Sequence, residues 1–163
     1  MPEPAWRGSW PWFAAAAAVF ALDQLTKALV IAFLRLGEAL AIAPFFNLVL
    51  VTNKGAAFSL FASASGWQTP FFAAVAVVAV GVVGWMIVHE RGKPLLCAGL
   101  ALILGGALGN LWDRLALGHV VDFLDFHAWG RHWPAFNVAD SAITVGAAIL
   151  ILESFMHRDE TSA

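Results

Sequence analysis

Four long apolar stretches organise the chain, and the polar residues that interrupt them carry most of the information. The first runs over residues 12–34 and is broken by Asp23, Gln24, Thr26 and Lys27, each costly in hydrocarbon. The second, 70–88, holds no charge, and the third, 95–111, is rich in glycine. The fourth, 138–155, has Asp140 in its first turn and Glu153 in its last. A bilayer core takes roughly 20 helical residues per crossing, so the pattern predicts an all-α membrane protein with four transmembrane helices. No internal repeat or low-complexity linker divides the chain, which reads as a single integral membrane domain over residues 1–163.

Between the first two stretches, residues 46–52 are β-prone and end at Asn53-Lys54-Gly55; a small-residue and aromatic segment, 55–61, follows. This predicts a short strand or hairpin and then a surface helix. Residues 157–163 read as a frayed polar tail. Trp10, Trp12, Trp67, Trp85, Trp112, Trp129 and Trp133 fall near the expected span ends, where an amphipathic ring prefers the headgroup layer. Ala14 to Leu22 also has the character of a signal-peptide core, with Val19 and Ala21 as a small-residue cleavage pattern. Kept as a span, it makes the crossings even in number and puts both tails on one side.

Composition agrees with this class: 61% of the 163 residues are apolar and 12% charged, against roughly 45–50% and about 25% in a soluble domain. A soluble reading is excluded. The net charge of −2 offers no broad attraction for nucleic acid, so no nucleic-acid partner is expected. Cys97 is the single cysteine, which removes both an intramolecular disulfide and a cysteine metal cluster. Arg7, Arg91, Lys93 and Arg158 flank one side of the spans and Arg35, Lys54, Arg114 and Arg131 the other, four against four. The positive-inside rule therefore leaves the orientation open.

The four-span arrangement does place the unusual polar residues together. Asn53, Lys54, Asn110, Asp113, Arg114, Asp122, Asn137 and Asp140 converge at one membrane face, with Asp23 and Lys27 partway down the first helix. Asp23 and Lys27 are spaced i, i+4, so an ion pair lowers the cost of both charges. A proton or ion relay is the sharper reading, but spans two and three carry no ionisable group to continue a path. Gly105 and Gly109 form a small-xxx-small pattern that permits close helix approach. One turn on, Asn110 and Arg114 project from the helix end, and the arginine's five-donor fork suits a carboxylate or phosphate.

Asp122 has apolar neighbours on both sides, unlike a solvated loop acid. Asn137 and Asp140 have the spacing of a capping box, a structural role for Asp140. Set on the same membrane face as Asp122, Asp140 also makes a candidate carboxylate pair. Two close carboxylates share one proton over a working pH range, leaving one base and one acid. That suffices for peptide hydrolysis without metal, cofactor or covalent nucleophile. His119, Asp122, Asp125, His127 and His132 cluster in sequence, but there is no His-Glu-x-x-His motif and no regular ligand spacing. Ser59, Ser63, Ser65 and Ser141 sit in no Gly-x-Ser-x-Gly elbow. A small transporter or proton-conducting subunit, with Asp23 and Lys27 as relay, and a structural scaffold are the competing classes.

Five ordered blocks carry a resemblance. Asp23-Gln24-Leu25-Thr26-Lys27, Asn53-Lys54-Gly55-Ala56-Ala57-Phe58-Ser59, Gly109-Asn110-Leu111-Trp112-Asp113-Arg114, Val120-Val121-Asp122-Phe123 and Phe136-Asn137-Val138-Ala139-Asp140-Ser141 are similar to those of the bacterial lipoprotein signal peptidases, or signal peptidase II, over nearly the whole chain. The resemblance implies an inner-membrane aspartic endopeptidase that removes the signal peptide from a prolipoprotein just before its diacylglyceryl-modified cysteine. It assigns the dyad to Asp122 and Asp140, with Asn53, Asn110, Arg114 and Asn137 lining or supporting the site and Asp23 and Lys27 holding the helices. It also implies cytoplasmic termini, a periplasmic-side site with a small β-sheet cradle and a surface helix, contact with membrane lipid, and inhibition by globomycin-type cyclic peptides.

Overall fold

The computed structural model describes residues 8–55, 67–90 and 92–160. The expected surface helix and the serines at 59, 63 and 65 fall outside the described residues, as do Arg7 and Arg91. Helix α1 spans Trp10–Phe33; strands β1 (Ala39–Ala43) and β2 (Phe46–Asn53) form a hairpin; α2 (Gln68–His89) and α3 (Pro94–Ala116) follow; β3 (Val120–Ala128) and β4 (Arg131–His132) form a second hairpin; α4 covers Val138–Glu160. All four helices are long and apolar enough to cross a membrane. Helix α3 runs past its apolar stretch to Ala116 because Asn110, Asp113 and Arg114 find polar partners there. The tail expected to fray from residue 157 is helical to Glu160.

Helix α3 is central. In its most apolar window 61% of the residues are buried, against 17–22% in the other three helices, whose outer faces are left for lipid. Ala16, Val83, Ile87, Leu100 and Leu104 form the core between α1, α2 and α3. The expected small-residue stripe does serve packing: a Cβ on Gly105 would strike the Ala16 carbonyl, and one on Gly109 would strike the Asp23 carboxylate. Gly109 thus lets a charged group of α1 lie directly on α3.

The four strands form one antiparallel sheet in the order β1-β2-β3-β4. Pairing sets Leu40, Leu48 and Leu124 side by side on one face and Ala41, Asn47 and Asp125 on the other. A second core of Val30, Leu50, Val121 and Phe123 joins the sheet to the end of α1. Between Leu48 and Val51 a register shift brings Asp122 opposite Val51 and Val120 opposite Asn53. Beyond β4, Phe136 pairs with Leu124 and so fixes the chain entering α4 beside β3. This pins the start of α4 next to Asp122.

The β3–β4 turn holds Trp129 at φ 50° and Gly130 at φ 73°, the two positive-φ residues of a type I′ hairpin turn. Trp129 therefore sits in a hairpin turn, and Trp133 follows directly after β4.

Candidate active site

The site is built on a closed polar cluster between α1 and α3. Lys27 Nζ lies 2.8 Å from Asp23 Oδ2 and 2.8 Å from Asp113 Oδ2, and donates to Asn110 Oδ1 at 3.2 Å. Gln24 Nε2 donates to Asp23, to Asp113 Oδ1 at 3.0 Å and to the Gly109 carbonyl. Asp23 and Lys27 are paired as their spacing predicts, but the unit is larger than a pair: one cation sits between two carboxylates, all three nearly or fully buried.

This cluster aims its remaining atoms at the neighbouring elements. Asp23 Oδ1 accepts from the Ala139 N–H at 2.9 Å, satisfying an orphan donor in the first turn of α4. Asp113 Oδ2 accepts from the Val121 N–H at 3.1 Å, one residue before Asp122. Asn110 Nδ2 donates to Asp140 Oδ1 at 2.8 Å. The cluster therefore fixes the backbone beside each of two further acids and touches one of them directly.

Asn137 joins those acids. Its Nδ2 donates to Asp122 Oδ1 at 2.8 Å, to Asn110 Oδ1 and to the Val121 carbonyl, and its Oδ1 accepts from the Asp140 N–H at 2.9 Å. The last bond is the N-cap bond expected from Asn137 and Asp140, whereas the Asp140 carboxylate turns to Asn110. Asn53 Nδ2 donates to Asp122 Oδ2 at 3.2 Å while its Oδ1 accepts from the Gly55 N–H. Arg114 donates to the Asn110 carbonyl at 3.2 Å and the Gly55 carbonyl at 3.1 Å, and its guanidinium lies over the Phe72 ring at 5.6 Å. Its buried Nε has no hydrogen-bond partner among the described residues.

An apolar cavity of about 570 Å³ opens beside this network. Its walls come from α2, α3, α4 and the segment after β4, and its polar lining includes Asn110, Arg114 and Asp140. Asp122 is only 2% exposed. Burial, then the nearby Asp140 charge, push its carboxyl up to about 7, against the hydrogen bonds from Asn53 and Asn137 and the pull of Lys27. A carboxyl so placed holds its proton near neutrality.

The histidine-rich segment is arranged otherwise. His132 Nδ1 lies 2.9 Å from Asp125 on the sheet, whereas Asp122 faces Asn53 and Asn137. Among the described residues no three His, Cys, Asp or Glu side chains converge as metal ligands.

A family profile for signal peptidase (SPase) II matches residues 15–156. The chain belongs to the signal peptidase II family. A lipoprotein signal peptidase of Paraburkholderia phymatum is 50% identical over 153 residues, 94% of this chain and 92% of that one. A lipoprotein signal peptidase of Paraburkholderia phytofirmans is 54% identical over 143 residues, 88% of this chain and 83% of the relative. A solved bacterial membrane enzyme, determined in meso at 2.3 Å, superposes with a TM-score of 0.82 at 28% identity, covering 92% of this chain and 90% of its own. The fold and family together make this a multi-pass bacterial membrane protease.

All eight site residues expected from the signal peptidase II resemblance lie in the one network just described. Asp113 is among the polar residues the sequence brings to one membrane face and Gln24 among those that interrupt the first span, but the resemblance assigns a role at the site to neither, nor to the Gly55 backbone, although all three stand in the matching blocks. Asp113 falls three residues after Asn110, the spacing that puts both on one helix face.

Proposed function

We propose that this chain removes the signal peptide from prolipoproteins by cleaving just before the diacylglyceryl-modified cysteine, with Asp122 and Asp140 as an aspartic dyad. The observation that carries the reading is Asn137, which donates to the Asp122 carboxylate and accepts from the Asp140 backbone N–H, beside an apolar cavity between membrane helices that Asp140 lines. An apolar signal helix fits beside such helices while its cleavage site reaches the acids.

The dyad shares one proton. Its ionised member takes a proton from water as the oxygen attacks the scissile carbonyl, and its protonated member donates to the carbonyl oxygen. Collapse of the tetrahedral intermediate breaks the C–N bond, and the proton taken from water passes to the leaving amine. Arg114 holds the Gly55 backbone over the site and keeps a donor for substrate. Asn53, Asn110 and Asn137 fix the carboxylates, and Asp23 with Lys27 fixes the helices beneath them.

In this reading the whole chain is one domain in the inner membrane, with cytoplasmic termini and the site toward the periplasm. Its partners are prolipoprotein substrates and membrane lipid, and globomycin-type cyclic peptides inhibit it. Incubating the purified protein in detergent with a diacylglyceryl-modified prolipoprotein, then measuring product masses, tests it directly. Cleavage before the modified cysteine is expected; an intact substrate would contradict the proposal.

A further inference from the structure

Helix α2 forms one wall of the cavity. At the end far from the site, Val83 and Ile87 pack with Leu100, Leu104 and Ala16 in the core. The middle of the helix, with Val75, Ala76 and Ala79, lines the cavity. At the site end, Thr69 Oγ1 donates to the Gly118 carbonyl at 3.0 Å and ties the start of α2 to the turn between α3 and β3. Three residues on, the Phe72 ring lies against the Arg114 guanidinium, with 5.6 Å from Cζ to the ring centroid. The spacing i, i+3 puts Thr69 and Phe72 on one helix face. The Phe71 ring meets Phe72 edge-on, with centroids 5.2 Å apart.

Arg114 donates through one terminal nitrogen to the Asn110 carbonyl at 3.2 Å and through the other to the Gly55 carbonyl at 3.1 Å. Two hydrogen bonds define a line, and a planar group can still swing about it. A ring set against the face of the plane stops that swing. The face of an aromatic ring is the negative part of its quadrupole, so it holds a cation within about 6 Å, most strongly where water is excluded. Phe72 therefore fixes the plane of the guanidinium, and with it the direction of the Nε–H, the buried donor that has no partner among the described residues. Arg114, Phe72 and Asp140 line the same cavity, so a rotated guanidinium would present its donors to a different part of a bound peptide.

We propose that Phe72 is a positioning residue for the cleavage reaction, setting the plane in which Arg114 meets the substrate peptide, and that the Thr69–Gly118 bond sets Phe72. This rests on the peptidase reading, in which Arg114 donates to substrate. Leucine in place of Phe72 would still serve as an apolar wall but offers no π face. The two roles differ in their kinetic consequence: a lost wall contact weakens binding, whereas a misaimed Arg114 slows the chemical step.

Steady-state cleavage of a diacylglyceryl prolipoprotein in detergent tests the proposal with F72L, T69V and F72L/T69V. A second series replaces Phe72 by mono-, di- and trifluorinated phenylalanine, which withdraws charge from the ring face and leaves its shape nearly unchanged. F72L should lower kcat about 10-fold with KM within about twofold. Along the fluorinated series kcat should fall stepwise at constant melting temperature. T69V should lower kcat in the same direction, and F72L/T69V should be no worse than F72L, since no ring is left to position. The fluorinated series keeps the test decisive if F72L folds poorly. A raised KM at wild-type kcat in F72L would make Phe72 a wall of the cavity, and constant kcat along the fluorinated series would show that the ring only packs; either result overturns the proposal alone. Wild-type protein that cleaves nothing would remove the peptidase reading and this inference with it.

Discussion

Asp122 and Asp140 are joined through a single side chain: Asn137 donates to the Asp122 carboxylate at 2.8 Å and accepts from the Asp140 backbone N–H at 2.9 Å. One amide thus sets both the orientation of a strand acid and the start of the helix that carries the other. Asn137→Ala should cost about 0.5–2 kcal/mol of stability as a lost cap. Its turnover should fall further than that loss explains, by about 10- to 100-fold, because misplacing a catalytic group by about 1 Å has that scale of effect. Melting curves and kcat measured on the same preparation check it; kcat at wild-type level would show that Asn137 only caps α4.

The Lys27 cluster yields a stability prediction. Lys27 lies between Asp23 and Asp113, both at 2.8 Å, so Lys27→Met leaves two buried carboxylates without their cation. A loss of about 3–5 kcal/mol is expected. Replacing Asp23 and Lys27 together by apolar residues does not restore the balance, since Asp113 remains. Detergent melting of Lys27→Met and the double variant should show both well below wild type; a double variant as stable as wild type would mean that Asp113 does not need the cation.

Much of this was legible in the chain. Hydrocarbon thickness imposes the length of each helix, so the spans can be read from apolar runs, and the Asn137–Asp140 cap is local. The ion pair of Asp23 with Lys27 follows from i, i+4 spacing, but the second carboxylate, Asp113, arrives from 86 residues away through helix packing that Gly105 and Gly109 permit. The β3–β4 hairpin was hidden for another reason. Its turn is Trp129-Gly130 where Asn-Gly or Asp-Gly is the usual signal.

The Asp122 carboxyl predicts a pH dependence. Its folded-state value is raised to about 7, so the folded protein holds this proton more tightly than the unfolded chain does. The stabilisation is fully present below the ordinary carboxyl range and is lost as pH rises through about 7. Activity that needs one proton on the dyad should fall over the same window. Wild-type kcat/KM should decline above about pH 7, and the wild-type melting temperature should drop more between about pH 6 and pH 8 than that of Asp122→Asn. Equal drops would show that Asp122 is not the titrating group.

Arg114 reaches two carbonyls, those of Asn110 and Gly55, with two different nitrogens. A lysine has one ammonium and cannot reproduce that fork. Arg114→Lys should therefore lose at least about tenfold in kcat/KM; wild-type activity in this variant would reduce the role of Arg114 to its charge.

The central claim is that Asp122 and Asp140 act as one catalytic unit, and turnover of the Asp122→Asn, Asp140→Asn and double variants on a diacylglyceryl prolipoprotein tests it most directly. Each single variant should stay folded and lose at least about 100-fold in kcat, and the double should be little worse than either single. Substantial cleavage by either folded single variant, or losses that multiply in the double, would contradict the dyad.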